Sequence, residues 1–182
     1  NTIINSLATD DIADSWYQFE CRETVSQPPP PQPGPVSNAC NQSFGLTPSA
    51  GCSGTACVVA SNLTPTHGCE SHDGVCLLSS QAFNRAKIFV TAFNNLSGGA
   101  CTLRLSSTIQ GGTGPSISMC HKPANSKSGT CADFNLLPNY NSCYQNFYQA
   151  ARDSGAIVSF LDEYVPACRS RQATGGNIHV NF

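Results

Sequence analysis

Eleven cysteines in 182 residues limit what this chain can fold into more than any other feature. They are Cys21, Cys40, Cys52, Cys57, Cys69, Cys76, Cys101, Cys120, Cys131, Cys143 and Cys168. Such a density is typical of proteins that fold in an oxidising compartment and are held by disulfides. The spacings Cys52-x4-Cys57 and Cys69-x6-Cys76 do not read as zinc ribbons. An odd count leaves one thiol free or paired between chains, and Cys21 is the first candidate. Three acceptor sequons agree with secretion: Asn41-Gln42-Ser43, Asn62-Leu63-Thr64 and Asn95-Leu96-Ser97. The expectation is a secreted glycoprotein with disulfide bonds, extracellular or periplasmic.

Charge narrows the function classes. Charged residues make up 11% of the chain, against about 25% in an average soluble protein. The net charge is −2, and the nine Lys and Arg form no run. A nucleic-acid partner is therefore not expected. No apolar run approaches the roughly 20 residues of a membrane-spanning helix.

Composition divides the chain into four parts. Residues 1–27 form an N-terminal arm in which Ile4, Leu7, Ala8, Ile12, Trp16 and Phe19 fall on one helical face. Such an arm either packs on its own domain or docks on a neighbouring chain, which would make it a route to self-association and extracellular assembly. Residues 28–37 are a stiff proline-rich linker. Residues 38–77 are rich in Cys, Gly, Ser and Thr and read as a loop-rich lobe held by disulfides. Its stretch His67-Gly68-Cys69-Glu70-Ser71-His72-Asp73 reads as an exposed polar loop rather than a second metal cluster.

Residues 78–182 carry the periodic elements. A helix is expected over 79–97, with Phe83, Ala86, Val90, Phe93 and Leu96 as its apolar stripe. Ser79 or Ser80 would cap its start and Gly98 would end it. Cys101, Leu103, Leu105, Ser107 and Ile109 then alternate as a strand. A second helix is expected over 142–154, with Cys143 and Phe147 inward, followed by an apolar strand from Ala156 to Leu161. The expected fold is α+β: a small, mostly antiparallel sheet with helices on one face and polar residues on the other. Two disulfides are expected. Cys120–Cys131 would close the loop that these two residues flank, and Cys143–Cys168 would tie the second helix to the segment before the last strand.

The polar face has a candidate site. Ala132, Phe134 and Leu136 alternate with Cys131, Asp133 and Asn135, and Ile178, Val180 and Phe182 alternate with Asn177, His179 and Asn181. Apolar residues turned to the core leave Asp133 and His179 projecting from the opposite face, where they converge if the strands share a sheet. His121 precedes the first of these strands, in the loop-like stretch Cys120-His121-Lys122-Pro123. Two imidazoles and a carboxylate suit Zn2+ and leave a fourth position open for water, which is the mark of a catalytic rather than a structural zinc. Asp162 and Glu163 end the preceding strand, and alternation lets only one of them face the metal. Glu163 is the first candidate for general base and Asp162 the substitute.

These motifs resemble the zinc D-Ala-D-Ala carboxypeptidase and Hedgehog-type metallopeptidase superfamily over roughly Leu78 to Phe182. Gly129-Thr130-Cys131-Ala132-Asp133 is similar to the family's Gly-x-Ala-x-Asp segment, Ser118-Met119-Cys120-His121 stands where its Ser and His stand, and Asn177-Ile178-His179-Val180 is similar to its terminal His-x-His strand. The resemblance implies a Hedgehog/DD-peptidase fold and a zinc-dependent hydrolase acting on peptides, with cell-wall (peptidoglycan) peptides as substrate. The chain departs from the pattern at three places. His121 and Asp133 are farther apart than usual. Asn177 replaces the first histidine of His-x-His. Gln110 stands where the family has an arginine for the substrate carboxylate, and it cannot form a charged bidentate clamp. A non-catalytic secreted glycoprotein or assembly subunit on the same fold is the alternative these departures suggest.

Overall fold

The computed structural model describes residues 40–69, 74–110, 118–169 and 175–182. The N-terminal arm, the proline-rich linker and Cys21 lie outside the described residues, as do Glu70 to Asp73.

Two helices pack on one face of a six-stranded mixed sheet. In chain order the strands are β1 (Asn41–Ser43), β2 (Val58–Val59), β3 (Thr66–His67), β4 (Leu77–Leu78), β5 (Thr102–Ser107), β6 (Cys131–Leu137), β7 (Ser159–Asp162) and β8 (Ile178–Asn181). The helices are α1 (Ser80–Ser97) and α2 (Tyr140–Asp153). The large sheet runs β1-β7-β8-β6-β5-β3, and β2 and β4 form a separate pair. Only β3 and β5 run parallel among the described strands.

Both helices form where capping and periodicity coincide. Ser79 accepts a hydrogen bond from the Ala82 amide at 3.2 Å and starts α1, and Gly98 ends it in the left-handed region at φ 55°. Asn139 accepts from the Ser142 amide at 3.0 Å and starts α2 two residues earlier than expected. The buried apolar stripe of α1 is Ala82, Ala86, Phe89, Val90 and Phe93, so Ala82 and Phe89 join the expected set, Phe83 is only half-buried and Leu96 is exposed. Phe89 meets Phe134 and Phe147 edge-on at centroid distances of 5.8 and 5.2 Å, and Phe147 meets Phe160 at 5.3 Å. With Leu103, Leu105, Ile178, Val180 and Phe182 they form the core between helices and sheet. These residues occupy alternate positions on their strands, so the intervening residues face away from the helices.

The Cys-rich segment is not a separate lobe. Its β1 pairs with β7 and its β3 pairs with β5, so it supplies both edges of the sheet. It clusters with the rest of the described chain as one unit. Its short strands look like loop in the sequence because two or three residues show no alternation.

Five disulfides staple the fold: Cys40–Cys168, Cys52–Cys57, Cys69–Cys76, Cys101–Cys143 and Cys120–Cys131. The expected Cys120–Cys131 bridge is present; the expected Cys143–Cys168 bridge is not. Cys143 faces the start of β5 and joins Cys101, while Cys168 lies beside the β1 edge and joins Cys40. The ten described cysteines pair among themselves, leaving Cys21 as the eleventh. This framework fits an oxidising compartment. No helix among the described residues is long and apolar enough to cross a membrane. The three sequon asparagines are exposed.

Candidate metal centre

The centre lies on the sheet face that the helices leave uncovered. Asp133 and His179 are direct cross-strand partners in the β6–β8 pair. Adjacent strands and a shared pleat bring their side chains together. The Asp133 Oδ1 atom lies 2.8 Å from His179 Nδ1. His121 comes from the loop between β5 and β6, and its Nε2 lies 3.3 Å from Asp133 Oδ1 and 3.2 Å from His179 Nδ1. The two rings meet edge-on at 68°. All three side chains are largely buried, at 4%, 15% and 12% exposure for His121, Asp133 and His179, so water screens them little.

The described part of the loop, residues 118–130, is tied down by many bonds. Disulfide Cys120–Cys131 closes it. Taken as a restriction on the entropy of the unfolded chain, a cross-link closing a loop of this size contributes about 3 kcal/mol. The Gln110 amide donates to the His121 carbonyl at 2.7 Å, and the Gly129 amide donates to the Cys120 carbonyl at 2.9 Å. The Ser128 hydroxyl donates to the Lys122 carbonyl, and Asn125 Nδ2 donates to the carbonyls of Met119 and Lys122. Gly129 has φ 70°, and a Cβ there would stand 2.9 Å from the Ser79 amide nitrogen. That position therefore takes glycine both for its backbone angle and for its space.

The chemistry of the donor set can be tested against a cation. His121 Nδ1 donates to the Thr108 carbonyl, which assigns the proton to Nδ1 and leaves a lone pair on Nε2. His179 Nε2 faces the Cys120 sulfur at 3.7 Å, so a proton there leaves a lone pair on Nδ1 as well. With neutral rings, two lone pairs and a carboxylate oxygen then point at one another across 2.8 to 3.3 Å. A cation among them, a second proton on the rings, or a His179 proton carried on Nδ1 and donated to Asp133 Oδ1 offsets that repulsion. Ligands about 2.0–2.1 Å from a tetrahedral ion stand roughly 3.3–3.4 Å apart, close to two of the three separations. The Thr108 carbonyl behind His121 is also the usual kind of partner that orients a ligating imidazole. The residues present can hold a metal ion. The sulfurs of Cys120 and Cys131 are close by as well, but their disulfide leaves them no thiolate to offer.

Electrostatics follow the geometry. Burial pushes the Asp133 carboxyl up, but the charges and hydrogen bonds of His121 and His179 outweigh it and hold the group well below the carboxylate range. The Glu163 carboxyl is raised, first by burial and then by the Asp133 charge, while His179, Asn177 and His121 pull the other way. Glu163 therefore stands within the field of all three donors. Its amide donates to the Asn177 carbonyl at 3.1 Å.

Asp162, the substitute candidate for general base, is on the other face. It is cross-strand from Ile178 and 2% exposed. Its Oδ2 accepts from the Tyr140 hydroxyl at 2.6 Å and its Oδ1 from the Tyr164 amide at 3.1 Å. Both oxygens are committed to the helix side, so alternation separates it from the metal donors. Gln110 also has a role beyond its backbone: its Nε2 donates to the Ser107 hydroxyl at 2.9 Å. Sequence reasoning missed Thr108 as the partner of His121 and Asn177 as the partner of Glu163. Only the second had a signal, since Asn177 lies two residues from His179 and shares its face. No protein-family model matches the chain, and no curated protein matches it.

Proposed function

We propose that this chain is a secreted zinc peptidase with His121, Asp133 and His179 as metal ligands and Glu163 as general base. The observation that carries the reading is the mutual approach of His121 Nε2, Asp133 Oδ1 and His179 Nδ1 at 2.8 to 3.3 Å. A two-nitrogen, one-oxygen set suits zinc over the harder cations, which prefer oxygen alone. Zinc bound by these three residues would supply Lewis acidity, which lowers the pKa of bound water towards ~7. Glu163 accepts the proton on its carboxylate and returns it to the leaving amine. The Asn177 carbonyl fixes the Glu163 backbone, and the Thr108 carbonyl holds the His121 ring. The substrate class is a peptide, and the family resemblance suggests cell-wall peptides.

Gln110 supports the second reading. A neutral amide already bonded to Ser107 offers a substrate carboxylate no charge, as expected of a metal-binding but non-catalytic glycoprotein or assembly subunit. One experiment separates the two. The purified full chain is analysed for zinc and assayed on cell-wall peptides with and without a chelator. Cleavage that stops with chelator and returns with zinc is expected. Zinc bound at one equivalent with no cleavage of any peptide would leave the non-catalytic reading standing.

A further inference from the structure

Among the described residues, Cys120, His121, Cys131 and His179 bring four atoms able to ligate a metal within 4.8 Å of one another. The two imidazoles belong to the set described above. The two sulfurs are those of the Cys120–Cys131 bridge. This bridge lies against the ring of a metal donor, with Cys120 Sγ 3.7 Å from His179 Nε2.

Two thiolates and two imidazoles make the donor set of a closed, structural zinc site. Sulfur and nitrogen ligands of one tetrahedral zinc ion stand about 3.6 Å apart, close to the separation of Cys120 and His179. Two sulfurs lie about 2.05 Å apart in a disulfide and about 3.8 Å apart on one zinc ion, so the bridge must be open for both to ligate. Asp133 would then change its task. With Nε2 of His179 on the metal, the ring proton sits on Nδ1, 2.8 Å from Asp133 Oδ1. A carboxylate behind a ligating imidazole is a usual arrangement, and His121 already has a carbonyl partner in Thr108.

We infer that Cys120, His121, Cys131 and His179 form a closed zinc site in the reduced chain, and that oxidation of the two thiols passes the ion to His121, Asp133 and His179. The oxidant is a protein or small-molecule disulfide. One thiolate attacks it, forming a mixed disulfide and releasing one thiol; the other thiolate displaces the second thiol as Cys120–Cys131 closes. The oxidant gains two electrons and two protons, and the zinc ion stays divalent. Four protein ligands become three, which frees a position for water. The centre is therefore closed until the chain reaches the oxidising compartment that its disulfides indicate. In the reduced chain the other bridges are also open, so the oxidant reaches the thiols. Once all are formed, Cys131 is fully buried and Cys120 is 7% exposed, which shelters the bridge from thiols and makes the conversion run one way. The transfer rests on the His121–Asp133–His179 reading; the thiolate site does not, and neither needs peptide cleavage for its test.

Co2+ is the probe, because a thiolate bound to it gives a near-ultraviolet charge-transfer band that imidazole and carboxylate do not. All forms are full chains in a Cys21→Ser background. Cys131→Ser, left oxidised, keeps the other four bridges and frees the Cys120 thiol. Loaded with cobalt it should show the band, as should Cys120→Ser through Cys131, while the oxidised parent shows none. The parent reduced with a phosphine should give a band about twice as intense, two thiolates against one. Reoxidation should remove the band with cobalt still bound at one equivalent. No band in either single variant overturns the site, whatever the reduced parent does. A band as strong in the reduced double variant Cys120→Ser/Cys131→Ser overturns it too, since the sulfur then comes from elsewhere. Loss of cobalt on reoxidation overturns the transfer. Bands in both single variants with no cobalt on the oxidised parent leave the thiolate site standing and overturn the His121–Asp133–His179 reading instead.

Discussion

Asp162 and Asp133 sit on opposite faces of one sheet, and their surroundings show how differently the two sides are built. On the helix side Asp162 has a hydroxyl and an amide for its two oxygens. The tyrosines around it stack, Tyr140 on Tyr164 at 4.6 Å, and Phe rings fill the remaining space. Its hydrogen bonds are satisfied within the protein. On the uncovered side Asp133 meets two imidazoles whose other nitrogens are already engaged. That cluster rests on imidazole–carboxylate contacts, and its atoms are of the kind that could hold a metal ion. One side is a core with a matched polar group; the other is a cluster of two imidazoles and a carboxylate on a face that the helices leave uncovered.

The largest expected effect tests the uncovered side alone. Glu163→Gln should lower kcat for peptide cleavage by about 10²- to 10⁴-fold, with zinc still bound at one equivalent by metal analysis. Equal activity would remove Glu163 as base. On the helix side, Phe147→Ala should destabilise the fold by about 3–5 kcal/mol, measured by urea unfolding with disulfides intact. A cost below about 1 kcal/mol would mean that the disulfides, not the aromatic core, hold that face together. Asp162→Ala should cost about 1–3 kcal/mol, because it strands the Tyr140 hydroxyl and the Tyr164 amide. Its zinc affinity should stay within a few-fold of the parent. A loss of zinc as large as that of His121→Ala would erase the distinction between the two faces.

The smallest effect is in pH dependence, measured on metal-free protein in chelator. The folded Asp133 carboxyl lies well below its ordinary value of 3.8, so its contribution is complete above that value and fades as pH falls below it. Glu163 has the opposite sign. Its folded value is raised above 4.5, so its contribution is complete below that pH and is lost as pH rises through the folded value. Glu163→Gln should therefore stabilise the metal-free fold at about pH 7 and leave it unchanged at about pH 4. Unfolding curves showing a loss at neutral pH would mean that the carboxylate is held favourably, not penalised by burial.

Much of the fold is readable from local patterns. Ser79 and Gly98 bracket α1, and alternation around Asp133 and His179 correctly assigns both to the uncovered face. Local pattern works there because a cap or a pleat depends on neighbours a few residues away. It fails where partners are distant. The Cys40–Cys168 and Cys101–Cys143 bridges join residues 128 and 42 positions apart, and nothing near either cysteine names its mate. The edge strands β1 and β3 are too short to show a period.

Asp162 and Glu163 draw the line most clearly. Alternation alone requires that these neighbours face opposite sides, so at most one of them can serve as base. Which one faces the donors depends on the register of β7 against β8, where Asp162 falls opposite the buried Ile178. A slip of one residue would exchange their roles. The same holds for His121: its residue type and its place in a loop are visible in the chain, but its approach to Asp133 requires the Cys120–Cys131 bridge and the Thr108 carbonyl to fold the loop back. Side-chain chemistry and pleat parity are local properties carried by the sequence. Convergence on a common point is set by strand register and loop closure, which arise only when distant segments pack.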